Sequence, residues 1–563
     1  MKSRHLLSAL ALGLGLTVVL LLLLTRPTPV ARADPGIYYV RAGASGDCLS
    51  VTTPCSNVQY AINLAGDGNE VWVATGIYTE NLVITHGLSL RGGWNISFTV
   101  QAPVTYPTTI DGRGTHVISA TVESGSASIG GFTIRNGRDG IHICSGVFTL
   151  THNIMYSMAV QGIEVTTGTV WIVGNTISDT DEEGIRINGG TAVLSANLVY
   201  DTGRDGIHTD DLSAHVEIRG NTVHSTARDG IDGRGHKVII ASNTIYGTGR
   251  DGVHVEDAGT AHVQRNIVYS TTEHGIYARD VVSLTTIADN TVHNTGYDGD
   301  GIYVRGGDFT IIDNTVYDTG SDGIHTHQSS ANVEIQSNTV YNTGDDGVDA
   351  RGATVTVANN TISACGDNGI KAEEAGYTFI NANQVYGDGD AGIDLDDAGT
   401  FTVTNNVVAG SSVASILIQT AAGPHNYLYH NTLVGSAVGQ QGDGISVTVT
   451  GITIALANNI VVSHNVGLTA TPGATLIVSH TLLWGNGSDP ISGTGVLPGP
   501  PRFAAPAQQD YHLLPGSPAV DAGIDVGVTS DVDGDHRPIG DLPDVGADEV
   551  WLRVFLPLVL RDC

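Results

Sequence analysis

The sequence predicts an all-β fold, a parallel β-solenoid of about 15 stacked coils with a short helical cap at one end. Three observations predict it. One asparagine recurs every 22 to 24 residues, at Asn175, Asn197, Asn221, Asn243, Asn266, Asn290, Asn314, Asn338, Asn360, Asn383 and Asn406, in phrases such as GNTVH and DNTVY. The glycine of a GI or GV dipeptide keeps the same period, from Gly140 and Gly162 to Gly369 and Gly392. Between these columns, segments such as VEIRGNTV, IIDNTVY and GIHTH alternate apolar and polar residues and are rich in Val, Ile and Thr. That is the pattern of half-buried strands, and nothing between them is long enough for a helix.

A coil of three short strands cannot bury its apolar face alone, so the coils must stack and share a core. At about 4.8 Å per coil, 15 coils would give a rod roughly 70 Å long. The asparagine is expected at the bend between two strands, where a left-handed backbone is tolerated and the amide can bond to the coil above. The glycine is expected to serve backbone geometry.

Taken from the N-terminus, Lys2 and Arg4 precede an apolar run from Leu6 to Leu24, and Ala31-Arg32-Ala33 follows. Residues 1–33 are therefore read as an export signal cleaved after Ala33, with an uncleaved anchor as the alternative. Residues 34–95 form the cap and first coils. VQYAINLA places Val58, Ala61, Ile62 and Ala65 on one helical face, suited to cover the end of the sheets. Cys48 and Cys55 flank a short loop and can pair in an exported protein, whereas Cys144 and Cys365 are expected to be unpaired. Residues 96–495 carry the repeats. After the Pro/Gly-rich GVLPGPP the period stops, and residues 496–550 form a small module followed by a tail at 551–563.

The formal charge is −32 and lysine occurs only at Lys2, Lys237 and Lys371. So acidic a surface repels phosphate backbones and anionic lipids, which excludes nucleic acid as a partner and disfavours membrane insertion once the signal is removed.

The repeated N-T-[VI] and [DNE]-G-[IV] phrases over roughly residues 37–495 resemble the right-handed parallel β-helix family, the pectate-lyase-like superfamily. In the module, SPAVDAG (517–523), DGDHRP (533–538) and DVGADE (544–549) resemble the choice-of-anchor Q domain. The two resemblances imply a right-handed helix, a secreted or cell-surface location, and a polysaccharide groove on the sheet that follows each GI dipeptide.

Along that sheet the residues after GI alternate inward and outward. One outward column contains His208, Asp232, His254, Tyr277, Tyr303, His325, Asp349, Lys371 and Asp394. The other contains Asp210, Arg234, Glu256, Arg279, Arg305, His327, Arg351, Glu373 and Asp396. A bland reading is a solvated face laddered by opposite charges. The functional reading is a groove for a linear polysaccharide, with Tyr277, His254, Asp232, Asp210, His208, Arg351 and Lys371 as binding residues.

A polysaccharide lyase there would use His325 or His327 as base, Arg305 or Arg279 to neutralise a uronate and Tyr303 as proton donor. A glycosidase would need a carboxylate pair from Asp210, Asp232 and Glu256. HTDD (208–211) and RGH (234–236) only partly resemble polygalacturonase elements, and the D-P-H element expected of a C5-epimerase does not occur.

Asp388, Asp390, Asp394, Asp396 and Asp397 form the densest acid cluster and are the expected cation site, with Ca²⁺ as the ion. Asp531-x-Asp533-Gly534-Asp535 has cation-loop spacing but lacks the glutamate of an EF-hand. The overall expectation is an exported protein that binds, and in the lyase reading cleaves, polysaccharide; the alternative is a non-catalytic surface or adhesion rod.

Overall fold

The structure is a computed structural model that describes residues 36–550 apart from 211, 422, 424 and 437–441. The export signal and the C-terminal tail lie outside the described residues.

Each coil is a run of short strands. Ile302–Arg305, Gly307–Ile312 and Thr315–Thr319 make one, and Ile324–Thr326, Ser330–Gln336 and Thr339–Thr343 make the next. Successive coils pair in parallel, Tyr303 beside His325 and Thr315 beside Thr339. The sheet built from the third strand of every coil contains 18 strands, so the solenoid has about 18 turns rather than about 15. The additional coils lie at the two ends, at Gly76–Tyr78 and Thr108–Asp111 and again at Ile460–Val462 and Leu482–Trp484, where the Asn-Thr phrase is lost but the apolar alternation persists. At about 4.8 Å per turn the stack is roughly 85 Å long.

The inward residues form one continuous core from Val40 to Leu483. Ile302, Val304, Ile311, Val316 and Ile324 are fully buried within it, each worth about 1.5–3 kcal/mol relative to exposure.

The asparagine column is a hydrogen-bond ladder. Asn314 Nδ2 donates to Asn338 Oδ1 at 3.0 Å and to the Ile287 carbonyl at 2.9 Å, while the Asn314 backbone N–H donates to the same Asn338 oxygen. The pattern repeats from Asn153 to Asn459. The left-handed residue is the one before each asparagine, such as Asp313 (φ 56°) or Ser337 (φ 54°), so backbone tolerance is not what selects asparagine in this column. The amide is selected because it satisfies buried donors and acceptors that no water reaches.

The GI glycines likewise owe their place to close approach rather than to φ. A Cβ on Gly323 would lie 2.3 Å from Val340 Cγ1 and 2.6 Å from the Gly347 carbonyl.

On the third-strand sheet a ring ladder, missed in the sequence, runs through Tyr200, His224, Tyr246, Tyr269, His293, Tyr317 and Tyr341. Its neighbours stack 4.7–5.2 Å apart with nearly parallel planes. The third residue after each ladder asparagine supplies every member.

At the N-terminal end Val58–Leu64 is the expected helix, capped by Asn57 and burying Val58, Ala61 and Ile62. The Glu80 carboxylate accepts its first free N–H groups from Val58 and Gln59. Cys48 and Cys55 form a disulfide, and Cys144 and Cys365 are free. The C-terminal module contributes an antiparallel pair, Phe503–Ala505 with Asp510–Leu513. It packs Leu513, Ala519 and Val545 against Ile460, Val462 and Leu482 of the last coils. Asp531 is committed to the backbone there: Oδ1 accepts from Asp533 and Asp535, and Oδ2 from Glu549.

Candidate functional site

The turn residue before each GI glycine builds a second ladder. Asp205, Asp229, Asp251, His274, Asp300, Asp322 and Asp346 hold this place in successive coils. Asp205 Oδ1 accepts the Asp229 N–H, Asp229 Oδ1 that of Asp251, Asp300 Oδ1 that of Asp322, and Asp322 Oδ1 that of Asp346. One oxygen of each carboxylate therefore serves the scaffold. At Asp205, Asp251 and Asp322 the other faces the histidine three residues later.

His325 is the clearest case. Its Nδ1 lies 3.1 Å from Asp322 and 3.5 Å from Asp300, and its Nε2 lies 3.8 Å from Asp349. Burial alone would lower the imidazole pKa, but the surrounding carboxylates overcome it and raise the pKa to about 10. A histidine held cationic in this way is poorly suited to act as a base near neutrality, which turns the base role towards His327.

The same logic closes the upstream part of the face. His208 bonds Asp210 and Asp232 at 3.0 Å, and its pKa is also raised to about 10, the carboxylates outweighing burial. Burial would raise Asp232, yet His208 and Arg234 hold it at about 2. Arg234 also pairs with Glu256, as does Arg279, and Arg186 pairs with Asp210. Asp210, Asp232 and Glu256 are thus each tied to a histidine or arginine, and Asp232, held low, is unsuited to be the protonated acid a glycosidase requires. His208, Asp232 and His254 are largely buried within this network, yet they line a pocket of about 350 Å³ with Asp210, Arg234, Glu256 and Arg279.

The open part of the face begins one coil later. Tyr277 and Tyr303 stack with ring centres 5.0 Å apart and planes 5° apart. His274 leans against both. Its Nδ1 accepts the Asp300 N–H at 3.1 Å, which leaves Nε2 to carry the ring proton. Beside Tyr303, Arg305 is exposed, and its side chain makes no hydrogen bond or ion pair among the described residues. The other strand cations of the face are all pinned: Arg351 by Asp349 and Glu373, Lys371 by Glu373, and Arg279 by Glu256.

His327 follows on the next coil, its backbone N–H bonded to the Val304 carbonyl. Burial, then the charges of Arg305, His325 and Arg351, keep its pKa below the ordinary value. Tyr303 is pushed above the usual phenol range by burial and by Tyr277. A trough of about 500 Å³ opens beside Tyr303, lined by His274, Tyr303, His325, Arg351 and Lys371 together with seven aspartates, Asp298, Asp300, Asp322, Asp345, Asp346, Asp349 and Asp367; Arg305 and His327 lie outside its lining. Tyr297 stands 90% exposed in the lengthened turn next to Asp298.

His274 and Tyr297 were missed by sequence reasoning. The signals were present, as HG in a column of DG and as an aromatic at the tip of an inserted turn.

The five aspartates near residue 390 do not gather as expected. Among the described residues, no three of them bring ligating oxygens together. Asp388 is buried and accepts the Cys365 N–H, and Asp394 accepts from Gln419. Burial raises them to about 7 and about 6, which weakens both as cation ligands. Groups with three convergent ligating atoms occur elsewhere, at Asp205–His208–Asp232, Asp229–Asp251–His254, Asp300–Asp322–His325, His512–Asp533–Asp548 and His116–Asp139–His142.

Among solved structures, the mannuronan C-5 epimerase A-module of Azotobacter vinelandii is similar over 81% of this chain and 99% of its own, at 14% identity and a TM-score of 0.30. The pre-mature bacteriophage phi29 gene product 12 is similar over 80% and 72%, at 11% identity and a TM-score of 0.41. A pectate lyase is similar over 92% and 97%, at 13% identity and a TM-score of 0.20. No curated protein matches the chain. The profile of the right-handed beta helix region matches residues 117–234, 183–308, 231–331 and 300–483, which together cover more than half the sequence. With stacked parallel coils over that whole span, the chain belongs to the right-handed β-helix family.

Proposed function

We propose that the protein is exported and that the face around Tyr277, Tyr303 and Arg305 binds an acidic polysaccharide, a polyuronate, and cleaves it by β-elimination. One observation carries the reading. In a chain of net charge −32, Arg305 is an exposed strand cation left without a carboxylate partner, and it stands beside a stacked tyrosine pair. An unpaired guanidinium is suited to a planar carboxylate, and aromatic edges to a sugar ring.

The chemistry follows from the neighbours. His327, held below the ordinary histidine range, is available as the base that removes the proton at C5 of the uronate. Arg305 neutralises the carboxylate and stabilises the carbanion that develops next to it. The C4–O bond then breaks, a C4–C5 double bond forms, and the leaving oxygen takes the Tyr303 proton. The pinned carboxylates upstream argue against the glycosidase route.

The test is to titrate the protein with polygalacturonate, alginate and neutral glycans, and to follow the ultraviolet absorbance of an unsaturated uronate product. Binding confined to the polyuronates, with product absorbance, is the expected result. Binding without absorbance would remove the elimination step. No binding to any glycan would favour the non-catalytic surface rod.

A further inference from the structure

A second site lies on the same sheet several coils towards the N-terminus, away from the Tyr277–Tyr303 region. Ile118 pairs with Ile141 of the next coil, so His116 occupies the turn position that Asp139 and the later aspartates hold. Asp139 is completely buried. Its Oδ1 accepts the Gln161 N–H at 3.1 Å, as the ladder requires. Its Oδ2 lies 2.5 Å from His116 Nδ1 as an ion-pair contact, and neither atom has any further hydrogen-bond partner. Two buried atoms able to ligate a metal thus face each other with no other polar group satisfying them.

The His142 ring stacks on His116 at 4.4 Å, and its Nδ1 lies 2.6 Å from Glu164 Oε2. The other Glu164 oxygen accepts from Asn188. A carboxylate bound to one imidazole nitrogen fixes the ring and leaves the other nitrogen as the lone-pair donor, the arrangement that supports metal-bound histidines. One ligating atom from each of His116, Asp139 and His142 lies within 4.8 Å of the other two.

The sets at Asp205–His208–Asp232 and Asp300–Asp322–His325 differ in kind. Each puts one imidazole between two carboxylates and closes on itself as an ion pair. Only at His116–Asp139–His142, among the described three-residue sets, do two imidazoles meet one carboxylate.

We propose that His116, Asp139 and His142 form a binding site for a divalent transition-metal ion of the zinc type. Two nitrogen donors and a carboxylate suit Zn²⁺ or Co²⁺ and not Ca²⁺ or Mg²⁺, which prefer oxygen alone.

The experiment is calorimetric titration of the metal-free full chain with Zn²⁺, alongside His116→Asn and Asp300→Asn. Asparagine is compatible with the ladder, because Asn368 already fills that position and its Oδ1 accepts the Ala391 N–H. Both variants should therefore fold, and thermal melting in the absence of metal checks that they do. Wild type and Asp300→Asn should each take up one Zn²⁺ with equal affinity. His116→Asn should bind at least about 100-fold more weakly, and Glu164→Gln about tenfold more weakly. Co²⁺ should give visible d–d bands that His116→Asn abolishes. No Zn²⁺ uptake by wild type, or unchanged uptake by His116→Asn, would overturn the site.

Discussion

His325 Nδ1 lies 3.1 Å from Asp322 Oδ2, three residues back in the same coil, and this pair separates scaffold from function in the repeat. Asp322 gives one oxygen to the next coil's backbone and the other to the imidazole. The histidine neutralises a stack of acids that the ladder forces together.

His325→Gln should therefore destabilise the fold by about 3 kcal/mol near pH 6, because it leaves buried carboxylates uncompensated. The folded-state pKa, about 10, lies above the unfolded value near 6.5. The stabilisation is fully present below pH 6.5 and fades as pH rises towards 10. Urea titrations of wild type and variant should show their difference in stability shrinking across that window. A difference that stayed constant with pH would mean that His325 acts by packing alone.

Asn314→Ala removes an amide that satisfies the Asn290 N–H, the Ile287 carbonyl and Asn338 Oδ1. Each orphaned buried group costs about 1–3 kcal/mol, so a total loss of about 3 kcal/mol is expected. Asn314→Asp should rescue little, since a carboxylate cannot donate to the carbonyl. Denaturation midpoints of the two variants settle whether the ladder works by donation as well as acceptance.

Gly323→Ala and Asp313→Gly make an opposed pair. The first puts a Cβ 2.3 Å from Val340 Cγ1 and should cost about 1–3 kcal/mol through overpacking. The second relieves a left-handed residue (φ 56°) and should be close to neutral. Comparable losses from both would contradict the assignment of strain to Asp313 and of close approach to Gly323.

The fold was legible because the two periodic columns and the period-two alternation each reflect a force that repeats once per coil. The outward register was legible for the same reason, and the pairing of His254 with Tyr277, Tyr303 and His325 in line follows it. What escaped was whatever depends on burial above the sheet. His208, Asp232 and His254 point away from the core yet are buried by their own neighbours, which alternation alone cannot reveal. The acids near residue 390 crowd in sequence, but Asp388 and Asp394 are absorbed by Cys365 and Gln419. His274 was passed over because it sits in a column of aspartates, where position suggested a turn and only the three-dimensional neighbours make it a ring against Tyr277 and Tyr303.

The polyuronate reading makes its sharpest prediction at Arg305 and His327, which should fail in different ways. Arg305 has no structural partner to lose, so Arg305→Ala should leave the melting temperature unchanged. It should weaken polyuronate binding about tenfold, the equivalent of one charge-assisted hydrogen bond, and that loss should diminish at high salt. His327→Ala should keep the affinity but slow elimination by at least about 100-fold, the usual contribution of a general base. Because burial and the nearby cations hold His327 below the ordinary histidine value, the wild-type rate should rise with pH from the acid side. The midpoint of that rise should fall below about pH 6.5, since the base is active only when deprotonated. If Arg305→Ala instead lowered the rate at saturating substrate with affinity intact, the guanidinium would belong to the transition state rather than to binding. An acid limb still climbing at pH 8 would assign the base to a group other than His327.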